Sequence, residues 1–147
     1  MTEARQVSIL LVEDDLGHTR LIEKNLRRSG ISNQIVAVTD GQQALDYING
    51  EGDYAGTERP SPLLVLLDLN MPVLDGYQVL ERMKANAETR RIPIIILTTT
   101  DDEREVSRCY DLGCNVYITK PVDYAEFSNA IRRIGLFLSV VTVPDGE

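Results

Sequence analysis

Five short apolar runs, each followed by a stretch with apolar residues at helical spacing, constrain this chain more than any other feature. Residues 7–12, 34–38, 63–67, 93–97 and 116–118 read as strands. Between and after them, apolar side chains recur at i, i+3, i+4 and i+7. They are Gly41, Ala44, Leu45 and Ile48; Gly76, Val79, Leu80 and Met83; Val106, Cys109, Tyr110 and Gly113; and Phe127, Ala130, Ile131 and Ile134, while Leu21, Ile22 and Leu26 share one face of residues 16–28. Residues 63–67 are apolar throughout, as a strand covered on both faces must be. Strict alternation of strand and helix demands right-handed crossovers, and these place helices on both faces only around an open parallel sheet. The expectation is an α/β domain with a doubly wound, five-stranded parallel sheet and five helices.

A chain of 147 residues accommodates one such domain. With 43% hydrophobic and 26% charged residues it has the balance of a globular protein. Fifteen Lys and Arg against 23 Asp and Glu leave a net charge of −8, which offers no electrostatic footprint for nucleic acid. No apolar segment approaches the roughly 20 residues of a membrane span, and the first residues carry no secretory signature. A cytoplasmic protein without membrane attachment is expected. Cys109 and Cys114, with one histidine in the chain, cannot close a four-ligand zinc site and are expected as free thiols.

In an open parallel sheet the working crevice lies beyond the carboxyl ends of the strands. The first strand delivers Glu13, Asp14 and Asp15 there, the third Asp68, the fourth Thr98, Thr99 and Thr100, and the fifth Thr119, Lys120 and Pro121. Asp40, after the second, reads as a helix N-cap, and so does Asp15. Converging carboxylates repel one another unless a cation neutralises them. A donor set of oxygens alone suits the hard ion Mg2+. An oxyanion bridging that metal, the Lys120 ammonium and a threonine hydroxyl would be well held, and a phosphoryl group on a carboxylate fits that description. His18, the single histidine, reads as an exposed helix residue rather than a phosphate carrier.

Glu13 and Asp14, the segment Asp68, Asn70, Met71, Pro72, Asp75 and Gly76, then Thr98, and finally Lys120 with Pro121 resemble the receiver domain of two-component response regulators, whose fold is flavodoxin-like. The resemblance spans about residues 7–134. It implies that Asp68 is the phosphoacceptor for a histidine kinase's phosphohistidine. It further implies that Asp14 and Asp68 bind Mg2+ directly, with the backbone carbonyl of Asn70 as third protein ligand and Glu13 acting through water. Thr98 would hydrogen-bond the phosphoryl oxygen, Lys120 would pair with it, and Tyr117 would be the aromatic switch that turns inward as Thr98 moves. Pro72, Asp75 and Gly76 shape the turn before the third helix. Thr99 departs from the pattern, because receivers often carry Ala or Gly there, and its bulk is expected to alter donor access or hydrolysis.

The length leaves no room for a DNA-binding output domain, so a stand-alone receiver is expected, with residues 1–135 as the domain and 136–147 as an apolar tail. Residues 136–143 are apolar at six of eight positions, a stretch that must be covered by its own domain or by a partner. The loop 49–62, with three Gly and two Pro, is long for this architecture. These features, together with residues 9–14 and 91–99, resemble the single-domain regulators that accompany bacterial phytochromes. In that subfamily a light-sensing histidine kinase is the donor, and homodimers form through the fourth and fifth helices and the tail. Alternative readings are an unphosphorylated adaptor or a phosphorelay intermediate. A flavodoxin-type cofactor binder is disfavoured because acids occupy the phosphate-loop position. A haloacid-dehalogenase-type phosphatase is disfavoured because Asn70 stands where that family has an acid.

Overall fold

The strands pair in the order β2-β1-β3-β4-β5, all parallel, in a computed structural model that describes residues 7–140 and their side chains through residue 136. The elements are β1 (Ser8–Val12), α1 (Leu16–Arg28), β2 (Ile35–Val38), α2 (Gly41–Asn49), β3 (Leu63–Leu67), α3 (Gly76–Ala85), β4 (Ile94–Thr98), α4 (Glu103–Leu112), β5 (Val116–Thr119) and α5 (Tyr124–Val140). The five expected strands and five expected helices are all present. A single turn of 3-10 helix, Gly52–Tyr54, lies within the long loop. Two guanidinium bonds of 2.9 Å, from Arg59 to the carbonyls of Ile48 and Glu88, tie that loop to the end of α2 and to the segment before β4.

Side-chain parity divides the core. Leu10, Val12, Val65, Leu67, Ile94 and Ile96 face one layer, where they pack against Ala44, Leu45 and Ile48 of α2, Val79, Leu80 and Met83 of α3, and Cys109 of α4. Ile9, Leu11, Leu64, Leu66, Ile95 and Leu97 face the other, against Ile22 and Leu26 of α1 and Phe127, Ile131 and Ile134 of α5. Every residue of β3 and β4 is buried. Burial on both faces is what makes these two strands uniformly apolar in sequence.

The helix ends follow from local chemistry. Asp15 and Asp40 cap α1 and α2 through their side chains, as expected. Asp75 and Gln78 form a reciprocal capping box at α3. At the end of α4, Gly113 takes φ 105°, its N–H reaches the Tyr110 carbonyl at 3.0 Å, and the Cys114 N–H reaches the Cys109 carbonyl at 3.0 Å. This is a Schellman motif, in which the flanking pair makes an apolar contact. Here the flanking residues are the two cysteines, both in the core layer of α2, α3 and α4. Both are buried free thiols, and burial pushes the Cys109 thiol up to about 11.

The boundary expected after residue 135 does not coincide with the end of an element. α5 runs on to Val140, because no proline interrupts it before residue 144. The rest of the expected tail, residues 141–147, lies outside the described residues. Among those described, no helix is long and apolar enough to cross a membrane.

Candidate functional site

The strand order reverses at β1, which is flanked by β2 on one side and β3 on the other. Crossovers leave this point in opposite directions, so a crevice opens beyond the ends of β1 and β3. The register sets Val12 beside Leu67, and the next residues, Glu13 and Asp68, therefore emerge side by side. Glu13 and Asp68 are buried, at 1% and 8% exposure, while Asp14 is exposed. One carboxylate oxygen from each lies within 4.8 Å of the other two.

Lys120 enters from the far side. Its backbone N–H donates to the Thr98 carbonyl at 2.6 Å, which pins the turn after β5 against the end of β4. Its side chain is 2% exposed, and its ammonium contacts Glu13 Oε1 directly and lies 3.6 Å from Asp68 Oδ2. Burial and the neighbouring Asp68 carboxylate push Glu13 up to about 8, against the opposing pull of Lys120.

Thr98 is fully buried, and its hydroxyl has no hydrogen-bond partner among the described residues. A buried hydroxyl without a partner costs about 1–3 kcal/mol, so its retention at a strand end argues for a ligand atom. The three carboxylates, with oxygen donors only, fit a hard divalent cation of the Mg2+ class. Asn70 is exposed beside them, and its amide donates to the Thr100 hydroxyl at 3.4 Å.

Tyr117 is half-buried on β5. Its hydroxyl donates to the Thr100 carbonyl, and its backbone N–H donates to the Tyr110 hydroxyl at 3.0 Å. The ring thus points toward the loop after β4 rather than into solvent. Burial holds its phenol up near 12. Thr99 is exposed at the mouth.

The loop after β3 is shaped by close packing. A Cβ on Gly76 would press into the Asp68 carbonyl and lie 2.7 Å from Leu69 Cα, so only glycine lets α3 start this near the acidic strand end. Val73, three residues earlier, has φ 69°, a left-handed conformation strained for a β-branched residue.

The sequence reading thus placed Glu13, Asp14, Asp68, Asn70, Thr98 and Lys120 at one crevice, and the structure brings all six there. Two further residues make contacts that the sequence did not assign. Thr100 meets both Asn70 and Tyr117, a role that its place in a run of three threonines did not distinguish. His18 is half-buried, not freely exposed, and its Nδ1 lies 3.1 Å from the Lys120 ammonium.

The response regulator receiver domain family matches residues 9–132. The chain belongs to that family. The response regulator Rcp1 of Synechocystis sp. is 37% identical over 137 residues, covering 92% of both chains. The structure of a response regulator receiver domain from Rhodospirillum rubrum is 58% identical, covers 95% of this chain and 98% of that one, and superposes with a TM-score of 0.86. The phosphorylated cyanobacterial phytochrome response regulator RcpA is 38% identical, with 95% and 99% coverage and a TM-score of 0.87. The Mn2+-bound form of Rcp1 also has a TM-score of 0.87, at 36% identity and with 94% and 99% coverage. The chain is therefore a receiver of the two-component kind, similar to regulators associated with phytochromes.

Proposed function

We infer that this receiver works as a phosphorylation switch in which Asp68 accepts a phosphoryl group from the phosphohistidine of a histidine kinase. The observation that carries the reading is the buried Lys120 ammonium, 3.6 Å from Asp68 Oδ2 inside a cluster of three carboxylates. A fixed cation there offsets charge that gathers on the oxygens of a group in transfer.

In the step itself, an Asp68 oxygen attacks phosphorus, the P–N bond to the donor imidazole breaks, and its electron pair returns to the imidazole. The product is an acyl phosphate on Asp68. Asp14, Asp68 and the Asn70 carbonyl would hold Mg2+, with Glu13 acting through water. When bound, the ion would neutralise charge on the phosphoryl oxygens and help orient the group for in-line attack by Asp68. Lys120 pairs with one phosphoryl oxygen, and the Thr98 hydroxyl donates to another. Movement of Thr98 toward the phosphoryl group changes the space beside Tyr117, and the Thr100 carbonyl that the phenol holds transmits the change to the loop before α4. Reversal is hydrolysis of the acyl phosphate, so the protein is a signalling switch and not an enzyme with a separate substrate.

The likeness to Rcp1 and RcpA supports a bacterial phytochrome kinase as the donor. The apolar run 136–143 supports a homodimer built through α4, α5 and the tail, with residues 1–135 as the receiver and 136–147 as its dimerising extension. The acidic charge supports output through protein contacts in the cytoplasm, with no DNA or membrane involved.

Stoichiometry tests the switch. Incubated with Mg2+ and excess acyl-phosphate donor, each chain should take one phosphoryl group, and donor should then disappear only as fast as the adduct decays. Donor hydrolysis far outpacing adduct decay contradicts it.

A further inference from the structure

The only histidine in the chain sits against the site lysine. A lysine ammonium has three N–H donors and no acceptor. For Lys120 the neighbours are Glu13 Oε1 in direct contact, Asp68 Oδ2 at 3.6 Å and His18 Nδ1 at 3.1 Å. His18 Nδ1 is 3.6 Å from the same Glu13 oxygen, so ring, ammonium and carboxylate meet at one point.

The ring itself is held from two directions. Its face lies against Phe127 of α5, with centroids 5.5 Å apart and planes inclined by 31°. Its Nε2 lies 3.9 Å from Asp15 Oδ2, while the other Asp15 oxygen accepts the His18 backbone N–H at 3.1 Å. Asp15 therefore starts α1 and faces the ring's far nitrogen at the same time. Because the ammonium can only donate, a hydrogen bond across this contact takes Nδ1 as the acceptor and leaves the ring proton to Nε2.

We propose that His18 is a positioning residue for phosphoryl transfer, a neutral acceptor that aims the Lys120 ammonium at Asp68. This rests on the phosphoacceptor reading above. Asp68 attracts the ammonium through opposite charge and so offsets it. His18 holds it by direction alone, and its positive charge stays available to the phosphoryl oxygens. The hold also ties the start of α1 and the face of α5 to the lysine, since Asp15 and Phe127 fix the ring.

The test uses the whole chain, Mg2+ and acetyl phosphate as donor, with adduct formation followed by intact mass. His18→Phe keeps a ring against Phe127 and removes the acceptor. His18→Asn returns an acceptor oxygen near the place of Nδ1 and removes the ring. With a charged-group hydrogen bond lost, the Phe variant should phosphorylate about tenfold more slowly at saturating donor. Its half-saturating donor concentration and Mg2+ affinity should match the wild type, and the Asn variant should recover to within roughly threefold. A Phe variant at wild-type rate, or Phe and Asn variants equally slow, overturns the proposal. Ring-nitrogen NMR of the unmodified chain gives a reading that does not depend on phosphorylation. An unprotonated Nδ1 whose resonance shifts in Lys120→Met supports the contact. A protonated Nδ1, or a resonance indifferent to Lys120→Met, overturns it even if the chain accepts no phosphoryl group at all.

Discussion

Thr98 and Lys120 are joined through their backbones, the lysine N–H donating to the threonine carbonyl at 2.6 Å. The bond extends the β4–β5 ladder one residue beyond the pair Thr98 and Thr119. Two side chains with complementary tasks, a neutral donor and a cation, are thereby delivered from adjacent strand ends with little freedom to separate.

The Thr98 hydroxyl is buried without a partner, so removing it should stabilise the resting protein. Thr98→Val is expected to raise stability by roughly 1 kcal/mol, because an unsatisfied buried hydroxyl is replaced by a methyl group of similar shape. The same change should slow phosphorylation or shorten the life of the adduct. Thermal denaturation and adduct decay measured on one preparation check both halves, and a destabilised variant with unchanged decay contradicts the account.

Glu13 yields a pH dependence. Its folded pKa, pushed up to about 8, lies above the ordinary carboxylate value, so folding takes up a proton between the two. Stability of the metal-free protein should therefore be greater below the unfolded value and decline as pH rises toward 8. Mg2+ competes with that proton, so its affinity should rise with pH over the same interval. Denaturant titrations across this range, with and without Mg2+, check the sign, and Glu13→Gln should flatten the metal-free profile. A metal-free profile that climbs toward pH 8 would show that Glu13 is ionised throughout.

Val73 holds a left-handed conformation at φ 69° on an exposed loop. Val73→Gly should relieve that strain and, after the added freedom of the unfolded chain is counted, stabilise by about 1 kcal/mol. Chemical denaturation measures it. A loss of stability would mean that the valine side chain makes a contribution outweighing its backbone cost.

Thr99 stands exposed at the mouth of the crevice. Thr99→Ala should change the dephosphorylation rate by roughly two- to fivefold, a barrier change of about 1 kcal/mol or less. Identical decay curves remove any role for its bulk.

Much of this was legible from residue order. β3 and β4 announce themselves as uniformly apolar runs because both their faces are covered. The site follows from the same alternation, since parallel strands deliver their C-terminal neighbours to one edge and the acids, Thr98 and Lys120 all stand at such positions. The partners of His18 were not legible in this way. Lys120 and Phe127 lie on the far side of the sheet order, and helical spacing on α1 alone does not say what crosses from α5. Tyr117 was expected to switch inward, but its ties to Thr100 and Tyr110 depend on where the loop before α4 turns. The left-handed Val73 carried no signal, because valine is among the residues least expected there. The apolar stripe of the last helix ends at Ile134 in the sequence, and that spacing alone did not show that α5 continues to Val140.

The central claim, that Asp68 is the phosphoacceptor, is tested most directly by intact mass after incubation with Mg2+ and an acyl-phosphate donor, with Asp68→Asn alongside. The account predicts a single phosphoryl adduct that requires Mg2+ and vanishes in Asp68→Asn. An adduct that survives the substitution, or a wild-type chain that binds Mg2+ yet takes no phosphoryl group, contradicts it.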